Sequence, residues 1–311
     1  MGKDQHGFCY IRKNVDDKLV SIGYGRPTGF AIDPIEKKPL SHFLPGSTIL
    51  SFGTAGCNLG CKFCQNWSIS KAKLDDSNSI RALPTDVVSL ARKYSTPSIA
   101  FTYNDPVIFA EYAIDISEIA KEENIHTVLV TAGYVTSEAR DDLFKNVSAA
   151  NVDLKAFTEK FYKNLAWASL KEVLDTLVWI KAKSNVWLEI TTLLIPGEND
   201  SENEIKEMSR WIKQNLGDRV PIHFTAFHPD FKLRDKQRTP YQTLKMAREI
   251  ALGEGLKYVY TGNVHDTEGQ TTYCPMCSAK VIERDWHSVT SNRLNNGKCP
   301  KCGSVIDGVF N

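Results

Sequence analysis

The sequence has no long hydrophobic run and no excess of charge of one sign. No stretch of about 18 apolar residues occurs, so no segment has the composition of a membrane-spanning helix. Residues 1–14 also lack the apolar core of a signal peptide, and we therefore expect a cytoplasmic protein whose thiols stay reduced. Lysine and arginine total 38 and aspartate and glutamate total 37, so the bulk charge argues against a nucleic-acid partner.

Short apolar runs alternate with longer amphipathic stretches from residue 48 onward. The 311 residues are enough for one large α/β domain with a small appendage. β-Branched and aromatic residues predict strands at 48–52, 98–103, 126–131, 150–155, 187–195, 221–227 and 257–261. Apolar residues at helical spacing predict helices at 85–95, 107–124, 169–183, 201–216 and 239–255. The alternation predicts an α/β fold, a partial (β/α)6 TIM-type barrel with parallel strands inside and helices outside.

Changes in composition divide the chain into three predicted segments. Residues 1–45 contain many turn-forming residues and are predicted as an N-terminal lead-in. Residues 46–265 carry the strand–helix alternation and are predicted as the barrel. Residues 266–311 contain four of the eight cysteines, so we predict a small metal-binding module there. Functional residues of such barrels lie at the carboxyl ends of the strands, and polar residues follow the predicted strands here.

The cysteines fall into two groups by spacing. Cys57, Cys61 and Cys64 lie within eight residues of one another, whereas Cys274, Cys277, Cys299 and Cys302 form two pairs in the tail. In a reducing compartment such spacing indicates metal sites rather than disulfides. Cys9 stands apart from both groups and is interpreted as an inert thiol.

The first group has three thiols rather than four. A structural zinc ion is held by four ligands in a closed tetrahedron. Three thiolates on one short loop fit a [4Fe–4S] cluster in which one iron has no protein ligand and can bind a small molecule. The loop also follows the first predicted barrel strand directly. The alternatives at this point are accidental clustering and a zinc site that a distant ligand completes.

The tail pairs read Cys-Pro-Met-Cys and Cys-Pro-Lys-Cys and are separated by 21 residues. Four thiolates at this spacing predict a closed tetrahedral site of the zinc-ribbon type. A rubredoxin-like mononuclear iron is the alternative, and it would be redox active. Either metal would stabilise a module that is too small to fold on a hydrophobic core alone.

Several blocks of the sequence resemble the radical S-adenosylmethionine (SAM) enzymes. The motif "CNLGCKFC" at 57–64 is similar to their Cys-x3-Cys-x-aromatic-Cys signature. The blocks "FTYNDPVIFAEYA", "VDLKAF", "EITTLLIPGEND" and "YVYTGNVHDTEGQTTYCPMC" resemble one subgroup, the radical SAM member of the AmmeMemoRadiSam system. That subgroup is related to pyruvate formate-lyase activating enzymes. The matching blocks spread over residues 39–277, so the resemblance covers most of the chain.

The resemblance implies a cluster on Cys57, Cys61 and Cys64, with SAM bound at its open iron. An electron from a low-potential donor would cleave SAM to a 5′-deoxyadenosyl radical, which abstracts hydrogen from the substrate. By the same resemblance, the residues expected to contact the cofactor are Phe63, Asn104, Asp105, Thr131, Asp153, Lys155, Glu189, Thr191 and His223. Asp105 stands where close relatives have glutamate, which is one methylene longer. Glu189 has a second interpretation as the buried partner of Lys155.

We expect a small-molecule substrate, because the barrel has no obvious extra segment that would grip a protein loop. Companion proteins of the AmmeMemoRadiSam system would act before or after this enzyme. Two alternatives stay open. One is an activase that generates a radical on a partner protein. The other is a non-catalytic Fe–S or zinc scaffold that binds nucleic acid through its ribbon.

Overall fold

The computed structural model describes residues 1–310. It contains an eight-stranded sheet, a two-stranded hairpin near the N-terminus and a three-stranded sheet in the tail. The strands are β1 (Arg12–Val15), β2 (Lys18–Ser21), β3 (Pro27–Pro34), β4 (Thr48–Thr54), β5 (Ser98–Phe101), β6 (His126–Thr131), β7 (Ala149–Asp153), β8 (Trp187–Leu194), β9 (Ile222–Ala226), β10 (Val259–Gly262), β11 (Thr272–Tyr273), β12 (Lys280–Asp285) and β13 (Ser288–Asn292). The helices are α1 (Trp67–Ser70), α2 (Pro84–Lys93), α3 (Ala110–Glu122), α4 (Ser137–Phe144), α5 (Glu159–Phe161), α6 (Leu170–Lys183), α7 (Glu202–Asn215), α8 (Tyr241–Gly253) and α9 (Thr267–Gln270). A π turn at Tyr162–Ala166 follows α5.

The seven predicted strands are confirmed as β4 to β10, and all of them run parallel. The sheet order is β10-β9-β8-β7-β6-β5-β4-β3. Six strand–helix units, from β4 with α2 to β9 with α8, precede β10, and this arrangement confirms the predicted (β/α)6 partial barrel. The strand sequences are mostly apolar because helices cover the sheet, so almost no part of the sheet faces solvent.

Helix α7 shows how the sequence builds the outer layer. The Ser201 hydroxyl accepts a hydrogen bond from the Glu204 backbone N–H and caps the first turn. Ile205, Met208 and Ile212 are buried at a spacing of three and four residues, so they face the sheet. Within residues 1–310, the helices are all too short or too polar to cross a membrane.

Strand β3 comes from the predicted lead-in and adds an antiparallel edge to the barrel sheet. Phe30 opposes Phe52 in its pairing with β4. The sequence did not predict this strand, because proline stands at both of its ends and glycine stands inside it. The predicted boundaries near residues 45 and 265 stay predictions, but the pairing shows that part of segment 1–45 is continuous with the sheet.

The tail packs against the barrel beyond β10. The buried core that the two parts share consists of Tyr258, Tyr260, Cys274, Val281, Ile282, Cys299 and Ile306. The backbone N–H of Val309 donates to the carbonyl oxygen of His42 at 2.7 Å, and that of Leu44 donates to Val309 at 2.7 Å. The last residues of the tail therefore close over the amino-terminal side of the barrel sheet.

Candidate functional site

A polar cavity of about 390 Å³ lies at the carboxyl ends of the parallel strands. Ten of the predicted site residues line it, namely Cys57, Cys61, Phe63, Cys64, Asn104, Asp105, Thr131, Asp153, Lys155 and Thr191. They come from the loop after β4, from the residues that follow β5 and β7, and from the carboxyl-terminal halves of β6, β7 and β8. The parallel arrangement brings these distant segments to one edge of the sheet, as expected for a (β/α) barrel.

The three clustered thiols lie on the loop that follows β4. Burial raises the pKa of Cys57 to about 11 and that of Cys61 to about 12. Both thiols are therefore protonated at neutral pH unless a metal replaces the proton. Metal binding must release these protons, so it should weaken as the pH falls.

Two backbone hydrogen bonds hold this loop against the π turn. The Gly60 N–H donates to Ala166 O and the Lys62 N–H donates to Leu165 O, both at 2.8 Å. Trp167 follows in the left-handed conformation with φ 57°, and its ring lies so close that a Cβ on Gly60 would come within 2.4 Å of it. Glycine at position 60 thus permits the close approach that fixes the loop.

Asn104 joins the end of β5 to the start of the thiol loop. Its amide nitrogen donates to Thr54 O at 2.8 Å and to Gly56 O at 2.7 Å, and its amide oxygen accepts from Thr54 N at 3.3 Å. The side chain is buried. Because its N–H groups are engaged by the backbone next to Cys57, Asn104 acts on the cavity by holding the loop.

Asp105 is held by donors from two strand ends. One carboxylate oxygen accepts from the Thr131 hydroxyl at 2.8 Å and from Val107 N at 3.2 Å, and the other accepts from Ala132 N at 3.2 Å. Burial raises the pKa of Asp105 to about 6, although these donors and the Lys155 charge favour the carboxylate. The shorter aspartate thus fits the ends of β5 and β6, and its contact with SAM stays a prediction.

Lys155 is a half-buried cation in the lining of the cavity. Its Nζ lies 2.7 Å from an oxygen of Asp153. Burial opposes the charge, but the carboxylate of Asp153 outweighs it through its charge and hydrogen bond and raises the pKa of Lys155 above its usual value. The partner of Lys155 is therefore Asp153, and the suggested pairing with Glu189 is wrong.

Phe63 and Thr191 complete the lining of the cavity. Phe63 is buried, and its ring packs against Phe161 with centroids 5.5 Å apart. The hydroxyl of Thr191 is buried and has no hydrogen-bond partner within residues 1–310. An unpaired buried hydroxyl is costly, so the lining is better suited to a polar ligand than to an apolar one.

Glu189 and His223 do not line this cavity, so the structure places them apart from the ten residues above, and their contact with SAM stays a prediction. Glu189 is fully buried and accepts from the backbone N–H groups of Ser41 at 2.9 Å and His42 at 2.8 Å. His223 Nε2 lies 2.7 Å from the same carboxylate. Glu189 stands two residues before Thr191 on the same strand face, which places it about 6.6 Å deeper in the barrel.

The four tail thiols converge on one point. The sulfur atoms of Cys274 and Cys302 are 3.6 Å apart, those of Cys277 and Cys299 are 3.7 Å apart, and all four lie within 4.8 Å of one another. A tetrahedral ion with bonds of about 2.3 Å separates its thiolates by about 3.8 Å. The group could therefore hold one metal ion. The described residues contain no second set of ligands compact enough to do so.

The donor set at the main cavity suits a cluster better than a single ion. Among residues 1–310, neither a fourth cysteine nor a histidine lines the cavity. The earlier alternative, a zinc site completed by a distant ligand, therefore finds no fourth thiolate or imidazole there. Three thiols beside an open polar space fit a [4Fe–4S] cluster with one iron available to a ligand.

Two features of the site were not predicted from the sequence. The amide of Asn199 donates to Lys155 O at 2.6 Å and to Leu193 O at 2.9 Å, so it bridges the ends of β7 and β8. Lys38 lines the cavity while its buried Nζ pairs with Asp33 at 2.7 Å. In the sequence, the signal for the pair of Asp33 and Lys38 was an aspartate followed five residues later by a lysine.

Replacing Gly56 by alanine is expected to destabilise the protein by about 3 kcal/mol or more. Gly56 has φ +87°, and an added Cβ would lie 1.9 Å from the carbonyl oxygen of Cys9, a backbone atom that cannot swing away. Gly217 has φ +98°, and a Cβ added there would have no neighbouring atom within 4 Å. Gly217→Ala is therefore the matched control, in which backbone strain alone should cost about 1 to 2 kcal/mol of stability. Denaturant unfolding of both variants measures the difference, and equal costs would contradict the overlap.

Comparison with known proteins identifies a consistent set of relatives. A profile of the Radical SAM superfamily matches residues 52–212. An uncharacterized protein from Methanocaldococcus jannaschii is 41% identical over 308 residues, which cover 98% of this chain and 91% of that protein. Pyruvate formate-lyase-activating enzyme from Clostridium pasteurianum is 25% identical over 197 residues, covering 58% of this chain and 80% of that enzyme.

A solved structure shares the fold. The crystal structure of a radical SAM methyltransferase from Sphaerobacter thermophilus superposes with a TM-score of 0.56 and 18% identity. The match covers 71% of this chain and 68% of that protein. At this identity the likeness extends to the fold alone.

Proposed function

Because this chain belongs to the Radical SAM superfamily, we propose that it is an enzyme that cleaves SAM reductively and abstracts hydrogen from a small molecule. The observation that carries the proposal is the set of three thiols on one loop beside the polar cavity. The superfamily implies a [4Fe–4S] cluster and SAM as cofactors. Held by Cys57, Cys61 and Cys64, a reduced cluster would supply the electron for cleavage of SAM to methionine and the hydrogen-abstracting 5′-deoxyadenosyl radical.

The residues of the cavity have separate tasks in this proposal. The cluster ligands are Cys57, Cys61 and Cys64. Lys155, fixed by Asp153, would attract the carboxylate of SAM, and the ring of Phe63 would contact its adenine. Asp105 accepts only from neutral donors, so its carboxylate keeps capacity for the SAM ammonium.

A small-molecule substrate is supported by the closure of the barrel. Strand β10 is an edge of the barrel sheet, and the tail packs against the barrel beyond it. The tail therefore covers an edge that would otherwise be accessible to a partner. The long resemblance supports membership of the AmmeMemoRadiSam system, whose companion proteins would supply or consume the small molecule. The reaction also needs a low-potential electron donor. All eight cysteines are free thiols, which suits the reducing cytoplasm.

The second candidate function is an activase that generates a radical on a partner protein. It is favoured by the similarity to pyruvate formate-lyase-activating enzyme. Gel filtration of the protein with each companion protein, followed by electron paramagnetic resonance after SAM addition, separates the two candidates. A stable complex with a radical on the companion would replace the small-molecule proposal by the activase.

For the tail we propose zinc as the bound metal. The sulfur separations of 3.6 and 3.7 Å match the thiolate spacing of a closed tetrahedral site. Such a site has no open position for catalysis, so its task is structural. Metal analysis of the purified protein decides between zinc and mononuclear iron, and oxidised iron in a thiolate site would in addition absorb visible light, which zinc does not.

The proposed activity is tested anaerobically. The protein is reconstituted with iron and sulfide, reduced with dithionite and supplied with SAM, and 5′-deoxyadenosine and methionine are quantified. We expect both products from the wild type and none from Cys57→Ala. Cys9→Ala is the matched control, because Cys9 is a buried thiol outside both groups. Equal product from Cys57→Ala and Cys9→Ala would contradict the assignment of the cluster.

A further inference from the structure

A second cavity of about 180 Å³ lies between the barrel and the tail. His223 and Thr225 on β9 form one wall, and Arg284, Trp286 and His287 from the hairpin of β12 and β13 form the opposite wall. The residues that line both this cavity and the main one are Lys37, Pro39, Thr225 and Asn263. The two cavities therefore adjoin, and a molecule in the second would lie beside the cofactor proposed for the first.

The tail wall is held rigidly in place. The guanidinium of Arg284 is buried and donates to Ser41 O at 2.6 Å and to the Thr272 hydroxyl at 2.9 Å. The backbone N–H of Trp286 donates to the Gln270 side chain at 2.9 Å. These bonds link the hairpin to the barrel, so the aromatic rings at positions 286 and 287 keep a fixed position opposite His223.

His223 lines this cavity and leaves one ring nitrogen free of hydrogen bonds to the described residues. Its Nε2 lies 2.7 Å from the carboxylate of Glu189. Burial opposes ionisation of Glu189, but the hydrogen bond from His223 and those from the backbone N–H groups of Ser41 and His42 favour the carboxylate and lower its pKa to about 2. A carboxylate only accepts hydrogen bonds, so Nε2 carries the hydrogen and Nδ1 carries the lone pair of the neutral ring. Within residues 1–310, Nδ1 has no hydrogen-bond partner.

His42 differs from His223 in that both of its ring nitrogens have hydrogen-bond partners. It is fully buried, with Nδ1 2.6 Å from Asp307 O and Nε2 2.6 Å from the Tyr260 hydroxyl. Both of its nitrogens are used by the fold, whereas His223 leaves one unused. A histidine that a carboxylate orients, with its other nitrogen free beside a cavity, has the arrangement of a general base.

We infer that the second cavity receives part of the substrate and that His223 accepts a hydrogen bond, and then a proton, from its O–H or N–H group. The proton passes to Nδ1, the substrate keeps the electron pair as its conjugate base, and Glu189 balances the imidazolium. Glu189 acts as the positioning residue. The aromatic wall of Trp286 and His287 favours a flat molecule. The inference rests on the proposed function only in calling this molecule a substrate.

Chemical footprinting of the holoprotein tests the open nitrogen. Diethyl pyrocarbonate, which acylates accessible neutral imidazole nitrogens, is added and the modified histidines are mapped by mass spectrometry. We expect His223 to react and His42 to stay unmodified. Trp286→Ala should speed the reaction at His223, whereas Val305→Ala, at an exposed tail position, should not. A His223 as unreactive as His42 would overturn the inference.

Two probes of nearly equal shape test the donor. Phenol should protect His223 from acylation, whereas toluene, which lacks the O–H group, should not. Equal protection by the two would overturn the assigned hydrogen bond. In Glu189→Gln, ¹⁵N resonance should show the ring hydrogen moving from Nε2 to Nδ1, a change that loss of packing alone does not produce. None of these readouts needs SAM cleavage, so their failure is distinct from failure of the proposed function.

Discussion

Cys277→Ser is expected to unfold the tail while leaving the centre of the barrel folded. Serine has nearly the shape of cysteine but is a poor metal ligand, so the substitution removes the metal with little change in packing. Binding of structural zinc supplies about 10 to 16 kcal/mol in small metal-dependent modules, far more than a tail of this size gains from its own core. Hydrogen exchange with mass spectrometry should show loss of protection at 272–310.

The loss of protection from hydrogen exchange should extend to one part of the barrel only. Tyr258 and Tyr260 share their core with the tail, and Val309 bonds with the backbone of His42 and Leu44. Segments 40–44 and 258–262 should therefore exchange faster, whereas β5 to β7 should keep their protection. Cys9→Ser is the control and should leave the tail unchanged. A protected tail in Cys277→Ser would mean that packing, rather than metal, holds it.

Asn104→Ala is expected to prevent stable cluster loading. The substitution removes the partners of Thr54 O, Thr54 N and Gly56 O, which lie within three residues of Cys57. Each buried polar group without a partner costs about 1 to 3 kcal/mol. Because three such groups would be left, the loop should move from its present position. Iron and sulfide per chain after anaerobic reconstitution should fall to a small fraction of the wild-type content.

Asn203→Ala is the matched control for this loss. Its amide bonds only to the exposed side chain of Glu207, at 3.0 Å, on the surface of α7. The control should load iron as the wild type does, with a change in stability within about 0.5 kcal/mol. Equal loading of the two variants would show that the three thiols find their positions without help from β5.

The parallel strands and the thiol loop could be predicted because each has a local signal. Strands buried on both faces read as short apolar runs, and ligand spacing identifies the cysteines. Strand β3 lacks such a signal, because proline and glycine interrupt it and pairing with β4 decides its structure. Helix α4 was missed for a similar reason, since only its last turn carries large buried apolar residues.

The depth of a residue along a strand could not be predicted either. Glu189 and Thr191 share one face of β8, and so do His223 and Thr225 on β9, because side chains alternate along a strand. From the sequence, Glu189, Thr191 and His223 therefore have the same predicted contact with the cofactor. Thr191 and Thr225 line the main cavity, but Glu189 and His223 lie one layer deeper. Only the assembled sheet shows where the cavity ends.

The most direct test of the account is electron paramagnetic resonance of the reduced, fully loaded protein with and without SAM. Three protein thiolates leave one iron open, so SAM should bind that iron and change the signal of the [4Fe–4S] cluster. The account predicts this change in the wild type and a strong reduction of it in Lys155→Met at equal iron content. A cluster signal that SAM leaves unchanged would contradict the open cluster, and with it the proposed chemistry of this chain.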